Sequence, residues 1–163
     1  MKASKRLHFR SLTTEDTTAL IRIYSDAEAM KFRANPPLLN EDEALQMIKK
    51  ATQEAAHFSS KRWAIVKNDT NELIGTCVLT YDKQEPTCTI GYSIGKMFWN
   101  KGYGKELLHA MVQEVRTTNC KTIKAFVHPQ NLASIAILEK EQFYQADASA
   151  SENLLTYCLN IML

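Results

Sequence analysis

Ile90-Gly91-Tyr92-Ser93-Ile94-Gly95-Lys96-Met97-Phe98-Trp99-Asn100-Lys101-Gly102-Tyr103-Gly104-Lys105-Glu106-Leu107-Leu108 runs from a strand-like stretch through a basic loop into a helix start. Gly102 and Gly104 let backbone N–H groups turn inward without a Cβ clash, and the helix beginning there adds unpaired amides and a partial positive charge. Such a cradle suits a phosphate or pyrophosphate. Lys101 and Lys105 add full charges, which favours several phosphate oxygens over a simple carboxylate.

Spacing separates the phosphate-binding motifs that such a loop can belong to. A nucleotide-binding G-x-x-x-x-G-K-S/T loop fails, because Trp99 stands where its first glycine belongs and Glu106 follows Lys105. A dinucleotide G-x-G-x-x-G loop fails as well, since position 107 is Leu. A plain turn before an amphipathic helix remains open from the G-x-G alone.

The flanking sequence supplies the context. Leu107, Leu108, Met111, Val112 and Val115 keep helical spacing as far as Thr117-Thr118-Asn119. Thr122 to His128 alternates like a strand and stops at Pro129. Asn131 to Lys140 then reads as an N-capped short helix, followed by Phe143 and a final strand pair.

Upstream, Leu7 to Leu12 reads as a strand, and Thr14, Glu15 and Asp16 start a helix with Ala19, Leu20, Ile23 and Tyr24 on its apolar side. Ala27 to Pro37 is less regular. Asn40 caps a helix through about Ala56, with Ala44, Leu45, Ile48 and Ala51 inward. Trp63–Val66, Glu72–Tyr81 and Cys88–Ile94 form an antiparallel meander joined by polar turns.

With these elements in place the chain resembles the GNAT superfamily of acetyl-CoA-dependent N-acetyltransferases. The family's pyrophosphate loop, Q/R-x-x-G-x-G/A, is matched by Trp99-Asn100-Lys101-Gly102-Tyr103-Gly104 except at its first position. Trp at that position, with Gly91-Tyr92 on the strand before it, is similar to the branch containing the ribosomal-protein N-terminal acetyltransferases. Leu7 to Asp16, Ser25 to Phe32 and Leu73 to Leu79 also resemble that branch, so the likeness runs from about Leu7 to Phe143.

The resemblance implies an α/β (α+β) GNAT fold: a mixed, mostly antiparallel sheet of six or seven strands, splayed at strands four and five and flanked by about four helices. It implies acetyl-CoA as the donor and a primary amine as the acceptor. Backbone groups of Tyr92, Ser93 and Ile94 are expected to hold the acetyl carbonyl and its oxyanion, which gives Tyr92 a catalytic role. Trp99, Asn100, Lys101, Gly102, Tyr103, Gly104 and Lys105 are expected to cradle the pyrophosphate. Asn131 stands where the family bonds the pantetheine arm, with plain helix capping as the other reading.

Two family carboxyl and hydroxyl groups are replaced. The Tyr expected seven residues after Asn131 is Leu138, so Ser134, three residues after it as in the resembling branch, becomes the candidate acid for the departing thiolate. Packing of a small residue is its other reading. The Glu expected before Gly91-Tyr92 is Thr89, so no carboxylate base is evident and a water chain is left for that task. At pH 7 an α-amine with pKa near 8 is about one-tenth neutral, whereas a lysine amine near 10.4 is neutral in roughly one of a few thousand molecules. Weak base machinery therefore favours an α-amine, such as a protein or peptide N-terminus.

Composition bounds the remaining choices. The 163 residues, 45% hydrophobic and 23% charged, show no composition break, so one domain over 1–163 is expected. A net charge of +2 with interspersed signs suggests neither nucleic acid nor membrane as a partner, and the absence of a long apolar run or leader points to the cytoplasm. Cys77, Cys88, Cys120 and Cys158 are isolated, as are His8, His57, His109 and His128, which argues against a metal site. Cys88 is the one conceivable acyl-accepting nucleophile, although no activating base is evident.

Acceptor recognition is expected from Glu28 to Leu39 and the loop after Tyr81, with Phe32 and Arg33 as candidate substrate contacts or simply residues closing the first helix. A small-molecule amine, such as a polyamine, aminoglycoside or metabolite, is the alternative acceptor. A non-catalytic acyl-CoA-binding regulatory module is the alternative from another class. Leu155, Tyr157, Leu159 and Ile161 on the last strand face either the core or a partner, which leaves monomer and homodimer open.

Overall fold

A computed structural model describes residues 1–33, 36–56, 60–146 and 153–161. Seven strands form one sheet: β1 (Leu7–Arg10), β2 (Ser60–Lys67), β3 (Leu73–Tyr81), β4 (Thr87–Ile94), β5 (Thr122–Val127), β6 (Tyr144–Gln145) and β7 (Leu155–Asn160). Their spatial order is β1-β2-β3-β4-β5-β7-β6, and β4–β5 is the parallel pair among antiparallel neighbours. The helices are α1 (Thr17–Tyr24), α2 (Ala27–Met30), α3 (Glu41–Ala56), α4 (Tyr103–Val115) and α5 (Leu132–Lys140). This is the mixed, mostly antiparallel sheet that the resemblance implies, with five helices where about four were expected.

Each face of the sheet has its own core, as the two-residue period of the strands requires. Cys77, Leu79, Cys88, Ile90 and Ile123 pack against Leu107, Leu108, Met111, Val112 and Val115 of α4 and Leu138 of α5. On the other face Ala64, Val66 and Leu73 meet Leu20, Ile23 and Tyr24 of α1 and Ala44, Ile48 and Ala51 of α3. Leu45, expected inward, is only half-buried, because Ile48 and Ala44 already fill the stripe that meets the sheet. Tyr157, Leu159 and Ile161 of the last strand lie in the core of this chain, with Leu155 packed against it.

Several boundaries shift. The first strand ends at Arg10, and a 3-10 turn over Thr14–Asp16 precedes α1, because Asp16 closes a capping box with Thr13. The irregular stretch after Ser25 contains α2, whose Asp26 side chain accepts from the N–H groups of Glu28 and Ala29. His57 and the Ala34-Asn35 part of the expected acceptor segment lie outside the described residues.

The feature that positions the site is where β4 and β5 part. Their register runs from Thr87 opposite Thr122 to Ile90 opposite Ala125 and stops there, while both strands continue. β4 keeps its pairing to β3 through Ile94. Gly75 permits that close approach, since a Cβ on it would lie 2.1 Å from the Ser93 carbonyl oxygen. The free ends of β4 and β5 therefore frame a wedge-shaped gap.

Candidate active site

A cleft of about 780 Å³ fills this wedge between β4, β5, the start of α4 and the start of α5. Of the residues expected to bind the donor, Tyr92, Ser93, Ile94, Trp99, Asn100, Gly102, Tyr103, Gly104, Lys105, Asn131 and Ser134 all line it. So do Phe32 and Arg33, the expected acceptor contacts. Lys101 does not line the cleft: its ammonium donates to the Met97 carbonyl at 2.9 Å and lies over the Phe98 ring.

The three β4 residues are not equivalent. The Ser93 carbonyl points at β3, and the Gly95 N–H donates to the Ile74 carbonyl of β3 at 2.8 Å. Backbone groups of successive strand residues alternate in direction, so those of Tyr92 and Ile94 face the gap. The Ile94 carbonyl is taken by the Trp99 indole N–H at 2.7 Å. What remains towards the cleft is the amide and carbonyl of Tyr92 and the amide of Ile94.

The basic loop forms a ready anion cradle. Asn100 and Gly102 both take left-handed backbone, at φ 58° and 77°, which turns successive N–H groups towards one side. Among the described residues the amides of Tyr103, Gly104 and Lys105 find no acceptor, as expected for the first turn of a helix without a side-chain cap. The N-terminal segment braces this turn. Glu106 accepts from Ser4 Oγ, the Arg6 N–H and Arg6 Nε, each at 2.7 Å, and Arg6 Nη1 donates to the Lys101 carbonyl at 2.9 Å. The guanidinium also covers the Tyr103 ring at 4.5 Å. Nothing in the sequence pattern announces Arg6 and Glu106, because they lie a hundred positions apart.

Across the gap, Asn131 caps α5, its Oδ1 accepting from the Ser134 N–H at 3.2 Å. Its Nδ2 has no acceptor among the described residues, so capping leaves the amide donors available to a ligand. Ser134 Oγ lies 3.1 Å from Tyr92 Oη, which joins β4 to α5 across the parted sheet. Burial pushes the Tyr92 phenol above its ordinary pKa, only partly offset by the Ser134 bond, and so keeps it a proton donor. Sequence reasoning treated Tyr92 through its backbone and missed this hydroxyl pair.

Bases are scarce. Glu28 lines the cleft but is paired with Lys96. His128 also lines it, its ring tilted 31° against Phe32 with centroids 5.1 Å apart, and its Nδ1 accepts from the Gln130 N–H at 3.1 Å. A backbone N–H can only donate, so the Nδ1 lone pair is engaged by this bond. Burial pushes the Cys88 thiol up to about 12. Among the described residues no cluster of His, Cys, Asp and Glu holds a metal, and no helix is long and apolar enough to cross a membrane.

A family model described as an acetyltransferase (GNAT) domain matches residues 6–143. The chain is 30% identical over 142 residues to an uncharacterized N-acetyltransferase, p20, of Bacillus licheniformis, covering 86% of this chain and 80% of that protein. Two solved structures are similar in fold. RimL, a ribosomal-protein α-N-acetyltransferase in complex with coenzyme A, has a TM-score of 0.82 at 17% identity over 98% of this chain and 97% of that one. A spermidine N-acetyltransferase from Vibrio cholerae, in complex with CoA and spermine, has a TM-score of 0.81 at 15% identity over 97% of each chain.

Proposed function

The chain belongs to the GNAT acetyltransferase family, whose donor is acetyl-CoA, and from that premise we propose that it acetylates a protein or peptide N-terminal α-amine by direct attack. The observation that carries this reading is a cleft whose hydroxyl pair Tyr92–Ser134 can serve the leaving sulfur while, among the described residues, no free carboxylate or imidazole base lines it. The pair lines the same cleft as the anion cradle and as Phe32 and Arg33 of the acceptor segment.

The residues present fit the donor. The cradle over Asn100–Lys105 supplies free amides and the Lys105 charge for a pyrophosphate, and Asn131 Nδ2 is available to the pantetheine amides. Bound acetyl-CoA supplies an activated thioester. The amides of Tyr92 and Ile94 face the gap where they can donate to the carbonyl oxygen as negative charge grows on it. Ser134 Oγ, backed by the Tyr92 phenol, donates a proton or hydrogen bond to the sulfur as the C–S bond breaks.

An α-amine suits this site because the site lacks a free carboxylate or imidazole base among the described residues. The amine must shed its proton to water, and only a group with pKa near 8 does so in roughly a tenth of molecules at pH 7. The four cysteines are all buried free thiols, which suits a reducing compartment such as the cytoplasm.

Release of free CoA thiol, measured with N-terminal peptides, lysine peptides, polyamines and aminoglycosides, tests the reading. Turnover of peptide α-amines above the other classes is expected. Faster turnover of lysine side chains or polyamines overturns it. A melting temperature raised by acetyl-CoA without turnover of any amine assigns the chain to the regulatory class instead.

A further inference from the structure

A second cavity of about 180 Å³ is lined by Arg33, Arg62, Thr76, Val78, Gly91, Tyr92 and Ser93. Thr76 lies opposite Ser93, and Val78 opposite Gly91, in the β3–β4 register, so the side chains of Thr76, Val78 and Ser93 share the face that carries α1 and α3. Arg33, Gly91, Tyr92 and Ser93 border both cavities. The small cavity thus adjoins the wedge at Tyr92 and Ser93, and none of the residues of the loop that cradles the pyrophosphate lines it.

Two guanidinium groups dominate it. Arg62 Nη1 donates to Thr76 Oγ1 at 3.1 Å, and the same Oγ1 is 2.8 Å from Tyr24 Oη. Arg33 lies over the Tyr24 ring at 4.4 Å. Tyr24 of α1 therefore braces Arg33 directly and Arg62 through Thr76, which reduces the freedom the two cations lose when a ligand arrives. Among the described residues no carboxylate pairs with either arginine. Glu54 of α3 acts on Arg62 only from a distance and lies 3.8 Å from Lys50. Glu28, at the mouth of the large cleft, is matched by Lys96.

On the acceptor reading given above, we propose that the acceptor is an acidic N-terminal peptide, with a carboxylate on its second residue held by Arg33 and Arg62. A volume near 180 Å³ equals the share of about six liquid waters, enough for a side-chain carboxylate and too small for a folded segment. Guanidinium forks match carboxylates in bidentate geometry, and an isolated pair of them repels a cationic acceptor such as a polyamine. After one carboxylate binds, the pair retains net positive charge beside the amine. That charge favours the neutral amine and helps a site with no free base.

The test uses peptides identical except for Asp, Asn or Lys at position two, with spermidine as a further acceptor. Two quantities are measured: kcat/KM for CoA release at saturating acetyl-CoA, and calorimetric binding to the CoA-loaded protein. The Asp peptide should exceed the Asn peptide by roughly tenfold or more in both, the scale of a charge-assisted hydrogen bond, and the Lys peptide should fall lower still. Arg33→Met and Arg62→Met should each erase most of that preference with little change in KM for acetyl-CoA, while Arg62→Lys, which keeps the charge, should retain part of it. Equal or better handling of the Asn peptide or spermidine overturns the proposal and leaves acetyl transfer standing. Acid-selective binding without turnover supports the anion pocket and overturns the transfer reading.

Discussion

The indole N–H of Trp99 donates to the backbone carbonyl of Ile94 at 2.7 Å, tying the loop before α4 to the free end of β4. The Q/R-x-x-G-x-G/A pattern puts a polar side chain at this position. Here the side chain spends its one donor on the protein and fixes the distance between two parts of the donor site.

Trp99→Phe keeps an aromatic ring, though a smaller one, and deletes that bond. A neutral hydrogen bond contributes about 0.5–1.5 kcal/mol, so KM for acetyl-CoA should rise roughly two- to tenfold, with kcat changed less. Initial rates at varied acetyl-CoA check this. An unchanged KM would mean that the bond does not hold the loop for the donor.

Tyr92 and Ser134 act on one proton, so their losses should not add. Ser134→Ala and Tyr92→Phe should each lower kcat, by about 100-fold if the hydroxyl protonates the thiolate outright and less if it only hydrogen-bonds the sulfur. The double variant should fall little below the worse single one. Full additivity in a double-mutant cycle would separate the two residues. Because burial raises the Tyr92 phenol above its ordinary value, its deprotonation should not limit rate until well into the alkaline range.

The succession from Ile90 to Leu108 announced a strand, a loop and a helix start, because strand alternation, glycine placement and helical spacing are all local signals, and the flanking elements from Leu7 to Phe143 were needed to turn it into a fold. Asn131 and Ser134 were singled out by the resemblance, and because one turn of one helix holds both, the structure brings them to the same cleft. The Tyr92–Ser134 and Trp99–Ile94 bonds were not legible in the sequence. Each depends on where β4 leaves β5, and that point is set by a pairing register between strands some thirty residues apart. Lys101 shows the converse, since its charge suggested a phosphate ligand while the local loop geometry turned it back onto Met97 and Phe98. Arg62 sits in an ordinary strand pattern, and only the fold puts its guanidinium beside Arg33 in one cavity.

Cys88 should be chemically silent. With its thiol pushed up to about 12 by burial, a few molecules in 100,000 carry a thiolate at pH 7.5, on the order expected from the pKa difference alone. Cys88→Ala should retain transfer, and mass spectrometry of the native protein mixed with acetyl-CoA should find no acetyl thioester on this residue. A stoichiometric acetyl-Cys88 species that decays on adding amine would establish a covalent route in place of direct attack.

Glu106 carries the acid sensitivity of the brace around the loop. Burial pushes its carboxyl upward, and the hydrogen bonds from Arg6 and Ser4 outweigh that, leaving it below its ordinary value of 4.5. A lowered folded pKa means that the unfolded chain binds the proton more readily, so stability is complete above about pH 4.5 and is lost as pH falls through the lower folded value. Glu106→Gln should therefore cost about 1 kcal/mol near neutrality, since the pair is partly screened where Arg6 is 43% exposed. The two proteins should converge in stability as the pH drops towards 3. Urea unfolding at several pH values measures the difference. A constant offset across that range would assign the loss to packing of the amide and not to the charge.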